Sequence, residues 1–238
     1  MTLRECFEQH NGRLVGKVDY FFDAYEQHLN PYRGLPIRIL EIGVDKGGSL
    51  ELWRNYFGSK AEIHGIDISP DVLQKAPDDA TIHIGSQADH NFLIEISDKH
   101  GPFDIVIDDG SHVMDHQILT FEALYPRLND RAVYICEDSF TSYWPEYGGK
   151  CGSENTFIEY AKKLLDELHA FWQFSDGREP SNFTKSTRGI HFYSGTVVFE
   201  KSPAFLPTYS IRANGESHEI SIAELKLAAA RTMRATES

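Results

Sequence analysis

Apolar and polar positions along this chain switch repeatedly between two periods, and the switches mark its elements. Short apolar runs at Ile37 to Gly43, Ile63-His64-Gly65-Ile66-Asp67, Thr81 to Ile84, Ile105-Val106-Ile107-Asp108 and Val133-Tyr134-Ile135-Cys136 predict strands. Helical spacing fills the gaps. Gly47-Gly48-Ser49 opens a helix carrying Leu50, Leu52, Trp53 and Phe57, which Gly58 stops, and further helices are expected over 91–99 and 115–127. Ahead of these, residues 3–30 place Leu14, Val18, Phe21, Phe22, Tyr25 and Leu29 at helical spacing, broken at Asn11-Gly12, which predicts a helical cover over the sheet. Strands alternating with helices in this way predict βαβ units, hence an α/β, doubly wound, mostly parallel sheet with right-handed crossovers.

The second half departs from that rhythm. An aromatic loop from Phe140 to Gly149 precedes a helix over 154–171 with Phe157, Ala161, Leu164, Leu165 and Leu168 on one stripe, and residues 173–187 read as a polar, mobile connection. Ile190-His191-Phe192-Tyr193 and Thr196-Val197-Val198-Phe199-Glu200, joined by Ser194-Gly195, predict an antiparallel hairpin that completes a seven-stranded sheet. Ser221-Ile222-Ala223-Glu224 is a capping box before an alanine-rich helix to about Ala235. The chain therefore divides into a helical cover (1–30), an α/β domain (31–201) and a C-terminal extension with a helix (202–238).

Chemistry gathers where strands stop. In open α/β sheets, ligands bind in the crevice beyond the carboxyl ends of the strands. Two runs end there in acids, Asp108-Asp109 and Glu137-Asp138, so neighbouring strands aim several carboxylates into one cleft, which suggests a hard divalent cation. The turn Glu41-Ile42-Gly43-Val44-Asp45-Lys46-Gly47 lies between strand and helix, where glycine lets a ligand approach the backbone. Its glycines are four apart rather than in the G-x-G-x-x-G spacing, and its flanking acids would repel phosphate. A cofactor with a positive centre and no phosphate, such as S-adenosylmethionine, suits it better. Asp67 is placed for ribose hydroxyls and Gly85-Ser86-Gln87 for adenine, although strand-end acids and polar loops also occur without ligands.

Composition narrows the partners. With 23 basic against 36 acidic residues the net charge is -13, which disfavours nucleic acid and anionic membrane surfaces. No apolar run reaches the roughly 20 residues of a membrane span, and the first residues lack the blocks of a signal peptide, so a soluble, cytoplasmic protein is expected. Cys6, Cys136 and Cys151 show no metal or disulfide spacing and read as reduced thiols.

Taken together, Leu40-Glu41-Ile42-Gly43-Val44, Gly48-Ser49-Leu50, Gly65-Ile66-Asp67-Ile68, Ile107-Asp108-Asp109-Gly110-Ser111-His112, Tyr134 to Asp138, Ser142-Tyr143-Trp144, His191-Phe192-Tyr193 and Val197 to Lys201 carry a resemblance. Over residues 17–201 the chain resembles the class I S-adenosylmethionine-dependent methyltransferases. Within them it looks like the magnesium-dependent sugar O-methyltransferases of macrolide and rhamnosyl natural products, with the cephalosporin hydroxylase-like group close by. The family's usual acidic residue after Gly85 is Ser86 here, which weakens a cofactor role at that position. The long N-terminal domain of the larger macrolide enzymes has no counterpart, so a homo-oligomer is left open.

The resemblance implies that 31–201 is the methyltransferase domain, that Mg2+ is held by Asp109, Glu137 and Asp138, and that His112 is the general base. The residues themselves place S-adenosylmethionine among Glu41, Gly43, Gly47, Ser49, Asp67, Ser86, Gln87 and Asp108, and Tyr143 and Trp144 read equally as a stacking surface for a sugar or as part of a packed aromatic loop. Adjacent strand residues point to opposite faces, so Glu137 and Asp138 can share an ion only if the strand ends between them. His116 reads as a solvent-facing loop residue, and Tyr147 belongs to the same aromatic loop. The rival readings are a methyltransferase for catechol-like diols, a nicotinamide-dependent dehydrogenase on the same sheet, and a binding module that has kept the fold.

Overall fold

In the computed structural model, which describes residues 1–173 and 179–236, the apolar runs of the first half form a parallel sheet. β1 (Arg38–Ile42), β2 (Glu62–Asp67), β3 (Ala80–Ile84), β4 (Ile105–Asp108) and β5 (Val133–Cys136) are joined by the antiparallel β6 (Thr187–Tyr193) and β7 (Thr196–Lys201). The seven strands lie in the order β3-β2-β1-β4-β5-β7-β6. The chain runs outward from β1 to β3 and then returns to β4 on the other side of β1. That reversal opens a crevice beyond the ends of β1 and β4.

Strand side chains alternate between two cores. Ile39, Ile63, Ile107, Ile135 and Val198 face α2 (Phe21–Leu29) and α3 (Gly48–Phe57), where Phe21, Tyr25, Leu50 and Trp53 meet them. Leu40, Ile66, Val106, Tyr134 and Phe199 face α4 (His90–His100), α5 (Met114–Leu124) and α6 (Phe157–Leu168). β4 and β5 are buried along their whole length, which is why they read as continuous apolar runs.

The N-terminal helical cover is interrupted more deeply than its periodicity suggested. Only α1 (Leu3–Glu8) and α2 are helical, while residues 10–18 form an irregular strap with a bend at residues 12–13. Gly12 and Gly16 weaken a helix there, and Leu14, expected on the buried stripe, is 74% exposed. Part of the polar connection before β6 is ordered as α7 (Asn182–Ser186), begun by a capping box between Ser181 and Thr184, whereas residues 174–178 lie outside the described residues. In the C-terminal extension a second hairpin, β8 (Thr208–Ala213) with β9 (Glu216–Ser221), precedes α8 (Ile222–Thr236). Asn214-Gly215, both at positive φ, make its two-residue turn, so the hairpin signal was present in the sequence. The capping box at Ser221 and Glu224 forms as read. Among the described residues no helix is long and apolar enough to cross a membrane.

Candidate active site

Gly43, the first residue after β1, has φ +93° and packs so closely on β4's exit that a Cβ there would collide with the carbonyl oxygen of Asp109. Gly43→Ala is therefore expected to lose stability through both left-handed strain and backbone collision, about 1 to 3 kcal/mol from the strain alone. Gly34→Ala, at φ +73° in open space, isolates the strain. Thermal denaturation of the two variants should show the larger drop for Gly43→Ala; equal drops would mean the contact with Asp109 is immaterial.

Two adjoining cavities open at this point and share Gly43, Asp67 and Gly110. The first, about 210 Å³, is walled by Ile66, Ile68, Gly85, Ser86, Gln87, Ser111 and His116. The second, about 350 Å³, is walled by Lys17, Asp45, Gly48, Ser49, Asp109 and His112. Asp67 sits between them. Its Oδ2 accepts the backbone N–H groups of Val44 and Asp45 at 3.0 and 3.1 Å, and its Oδ1 accepts that of Ser69 at 2.9 Å, so it also fixes the glycine turn.

Three of the expected cofactor residues serve chiefly as supports. Glu41 is fully buried and accepts hydrogen bonds from Ser49 Oγ at 2.6 Å and Trp53 Nε1 at 3.2 Å, so only its partner Ser49 reaches the cavity. Gln87 donates to Asp108 Oδ1 at 3.0 Å and accepts from the backbone of Ser111 at 2.5 Å, stitching the β3 exit to the β4 exit. Asp108 points into the core, where burial pushes its carboxyl up to about 7 against the hydrogen bonds from Gln87 and Tyr134. Gly47 caps α3 at φ +79° and lies against Lys75 rather than on a cavity wall. His116, read as a solvent-facing residue, does line the first cavity and pairs through Nδ1 with Ser111 Oγ at 2.8 Å.

The four strand-end acids separate into two environments. Lys17, carried in by the irregular strap and only 2% exposed, donates to Asp109 Oδ2 at 2.6 Å and to both oxygens of Glu137 at 2.9 and 3.1 Å. Its ammonium lies 3.7 Å from Glu41 Oε1 as well. Burial opposes its charge, but Glu137, Tyr25, Asp109 and Glu41 outweigh burial and hold it well above the ordinary lysine range. β5 ends before Glu137 rather than between Glu137 and Asp138, and Asp138 turns back at φ 51°. Its Oδ2 then lies 3.7 Å from His112 Nε2, with Asp109 Oδ1 4.0 Å from the same nitrogen. Asp109, His112 and Asp138 thus form one cluster whose ligand atoms fall within 4.8 Å of one another, and Glu137 faces Lys17 on its far side.

This cluster carries excess negative charge. Glu41, Asp109 and Glu137 surround one ammonium, and Asp138 lies beside them against His112. Burial, reinforced by Asp109, pushes Glu137 and Asp138 above the usual carboxylate range, and burial does the same to Glu41. Carboxylate oxygens in excess over positive partners suit a hard divalent cation, and Asp109 and Asp138, about a quarter exposed, leave it a way in. His112 is itself held at φ 59°, a left-handed conformation uncommon outside glycine, and its Nδ1 is buried with no hydrogen-bond partner. Beside it, the Tyr147 ring lies edge-on at 6.2 Å, and Trp144 and Tyr143 continue the aromatic wall with about half their surface in solvent.

Of these residues, Lys17 escaped sequence reading. A lone lysine in a predicted amphipathic helix carries no signal of its own, and only the break at Gly12 and Gly16 hinted that it lay outside one.

No family model matches the chain. Similar proteins are nevertheless found. A curated relative from Streptomyces olivaceus, 8-demethyl-8-(2-methoxy-alpha-L-rhamnosyl)-tetracenomycin-C 3'-O-methyltransferase, is 39% identical over 206 residues, covering 81% of this chain and 52% of the relative. Demethylmacrocin O-methyltransferase of Streptomyces fradiae is 35% identical over 78% of this chain and 49% of its own length. Among solved structures, the MycE methyltransferase of the mycinamycin pathway, in complex with Mg, SAH and mycinamycin VI, superposes with a TM-score of 0.77 at 31% identity, over 90% of this chain and 57% of that one. The chain spans about half the length of the curated relatives it matches.

Proposed function

From the premise that the chain is a homologue of the sugar O-methyltransferases of macrolide and tetracenomycin pathways and carries the class I methyltransferase fold, we propose that it transfers a methyl group from S-adenosylmethionine to a sugar hydroxyl. The observation that carries this reading is the meeting of Asp109, Asp138 and His112 beside the cavity at Gly43 and Asp67. The proposed transferase domain is residues 31–201, completed by Lys17 from the N-terminal cover.

The donor's ribose is assigned to Asp67, its adenine to the cavity walled by Ile68, Ser86 and His116, and its sulfonium to the acid-rich side at Asp109. Mg2+ is assigned to Asp109 and Asp138, with Lys17, itself anchored on Glu137, holding Asp109 in place. Bound there, the ion supplies Lewis-acid activation that makes a hydroxyl easier to deprotonate. His112 Nε2 is the group placed to receive that proton. Tyr143 and Trp144 offer apolar ring faces to a sugar, and their exposure leaves them free to be covered by one. Because catalysis here needs no covalent enzyme intermediate, holding the acceptor oxygen and the methyl group in line supplies a large share of the rate.

The test is methyl transfer from labelled S-adenosylmethionine to a panel of glycosides and catechols. We expect glycosides to be methylated, EDTA to abolish turnover and Mg2+ to restore it, while calorimetry shows S-adenosylhomocysteine binding. Methylation of catechols alone would favour the diol rival. Full turnover in EDTA would remove the metal from the reading, and binding of a nicotinamide cofactor instead would remove the reading altogether.

A further inference from the structure

Three histidines meet far from the acids, at the edge of the sheet. His64 on β2 and His83 on the neighbouring β3 face the last residue of α4, His100, and the ligand nitrogens of all three lie within 4.8 Å of one another. His64 Nδ1 and His83 Nε2 are 3.2 Å apart, with the two rings parallel to within 3°. The His83 and His100 rings approach to 4.5 Å between centres. Zinc binds imidazole nitrogen at about 2.0 to 2.1 Å in a tetrahedron, so two such ligands stand roughly 3.3 to 3.4 Å apart. His64 Nδ1 and His83 Nε2, which are hydrogen-bonded to each other at 3.2 Å, stand slightly inside that separation.

We propose that His64, His83 and His100 form a binding site for a zinc-class transition-metal ion, chemically separate from the acidic cluster. All three donors are nitrogen, which suits zinc, nickel or copper and not magnesium. The carboxyl end of α4 places its partial negative charge beside the cluster, which favours a cation. His64 is 6% exposed, whereas His83 and His100 are partly open to solvent, so an ion has a route in and a fourth position for water.

The other histidine cluster outside the active site among the described residues differs in being tied to a carboxylate and a hydroxyl, whereas His64 and His83 bond to each other. His28 there uses both ring nitrogens, one on Glu200 and one on the Tyr193 hydroxyl, each at 2.8 Å. At His64, His83 and His100 no carboxylate takes the place of a metal among the described contacts. A bound ion would tie the β2–β3 edge to α4, and β3 leads directly into the Gly85-Ser86-Gln87 wall of the first cavity.

Calorimetric titration of the EDTA-stripped full chain with Zn2+ tests this, using Asp109→Asn/Asp138→Asn to remove the acidic cluster and His83→Gln/His100→Gln to remove this one. One equivalent of Zn2+ should bind to the acid variant. At about a hundredfold excess over Kd it should raise the thermal midpoint by about 5 to 10 °C. The histidine variant should lose both effects while melting like the wild type without metal. His100→Gln alone, at the accessible helix end, should weaken binding if the double variant folds poorly. Co2+ in place of Zn2+ should give visible absorption bands of a four-coordinate ion in the wild type and the acid variant and none in the histidine variant. Undiminished Zn2+ binding in the histidine variants, or no binding to the acid variant, would overturn the site.

Discussion

His112→Asn is expected to lower turnover by about 10² to 10⁴-fold while leaving S-adenosylhomocysteine binding intact. The geometry makes the two effects separable. His112 Nε2 lies 3.7 Å from Asp138 and 4.0 Å from Asp109, whereas the walls proposed for ribose and adenine are built by Asp67, Ile68 and Ser86. Asparagine is the informative replacement because it tolerates the left-handed backbone at φ 59°, so strain does not masquerade as lost catalysis. It keeps polarity but cannot take a proton near neutral pH. Steady-state kinetics beside calorimetry decide it: turnover within a few-fold of wild type would reject His112 as the base.

Lys17→Met should be the most destabilising single change in the site. Lys17 donates to Asp109 and to both oxygens of Glu137, and it is 2% exposed, as is Glu137. Removing one member of a buried ion pair leaves its partner charged and unpaired, which costs about 3 to 5 kcal/mol. For a chain of this size that corresponds to a fall in Tm of roughly 6 to 20 °C. Because the loss is electrostatic, Mg2+ should recover part of it, since a divalent ion beside Asp109 supplies the missing positive charge. Thermal melts in EDTA and in Mg2+ measure both quantities. A drop below about 1 kcal/mol in EDTA would show that the acids do not depend on this ammonium.

Sequence and structure agree most closely where the argument was local. The runs at Ile105 and Val133 became β4 and β5 within a residue, and Gly58 ended α3 as read. They part where a local pattern met a long-range contact. Leu14 and Val18 share helical spacing with Phe21 and Tyr25, yet the strap between α1 and α2 is not helical, and from it Lys17 reaches Asp109, 92 residues away in sequence. Glu41, Asp108 and Gln87 stand at the positions a cofactor reading selects, but their side chains are engaged by hydrogen bonds with Ser49, Tyr134 and Ser111.

By itself the sequence determined the alternation of strand and helix, the hairpin closure and the placing of acids at strand ends, because each depends on periodicity and chain direction within a few residues. Tertiary structure alone decided which acids share a neighbour: Asp138 with His112, Glu137 with Lys17, and Asp109 with both. It also brought His64, His83 and His100 together from two strands and a helix end. Such groupings follow from strand order and from the backbone turns at Asp138 and His112, and charge and burial act on them only once distant segments have packed.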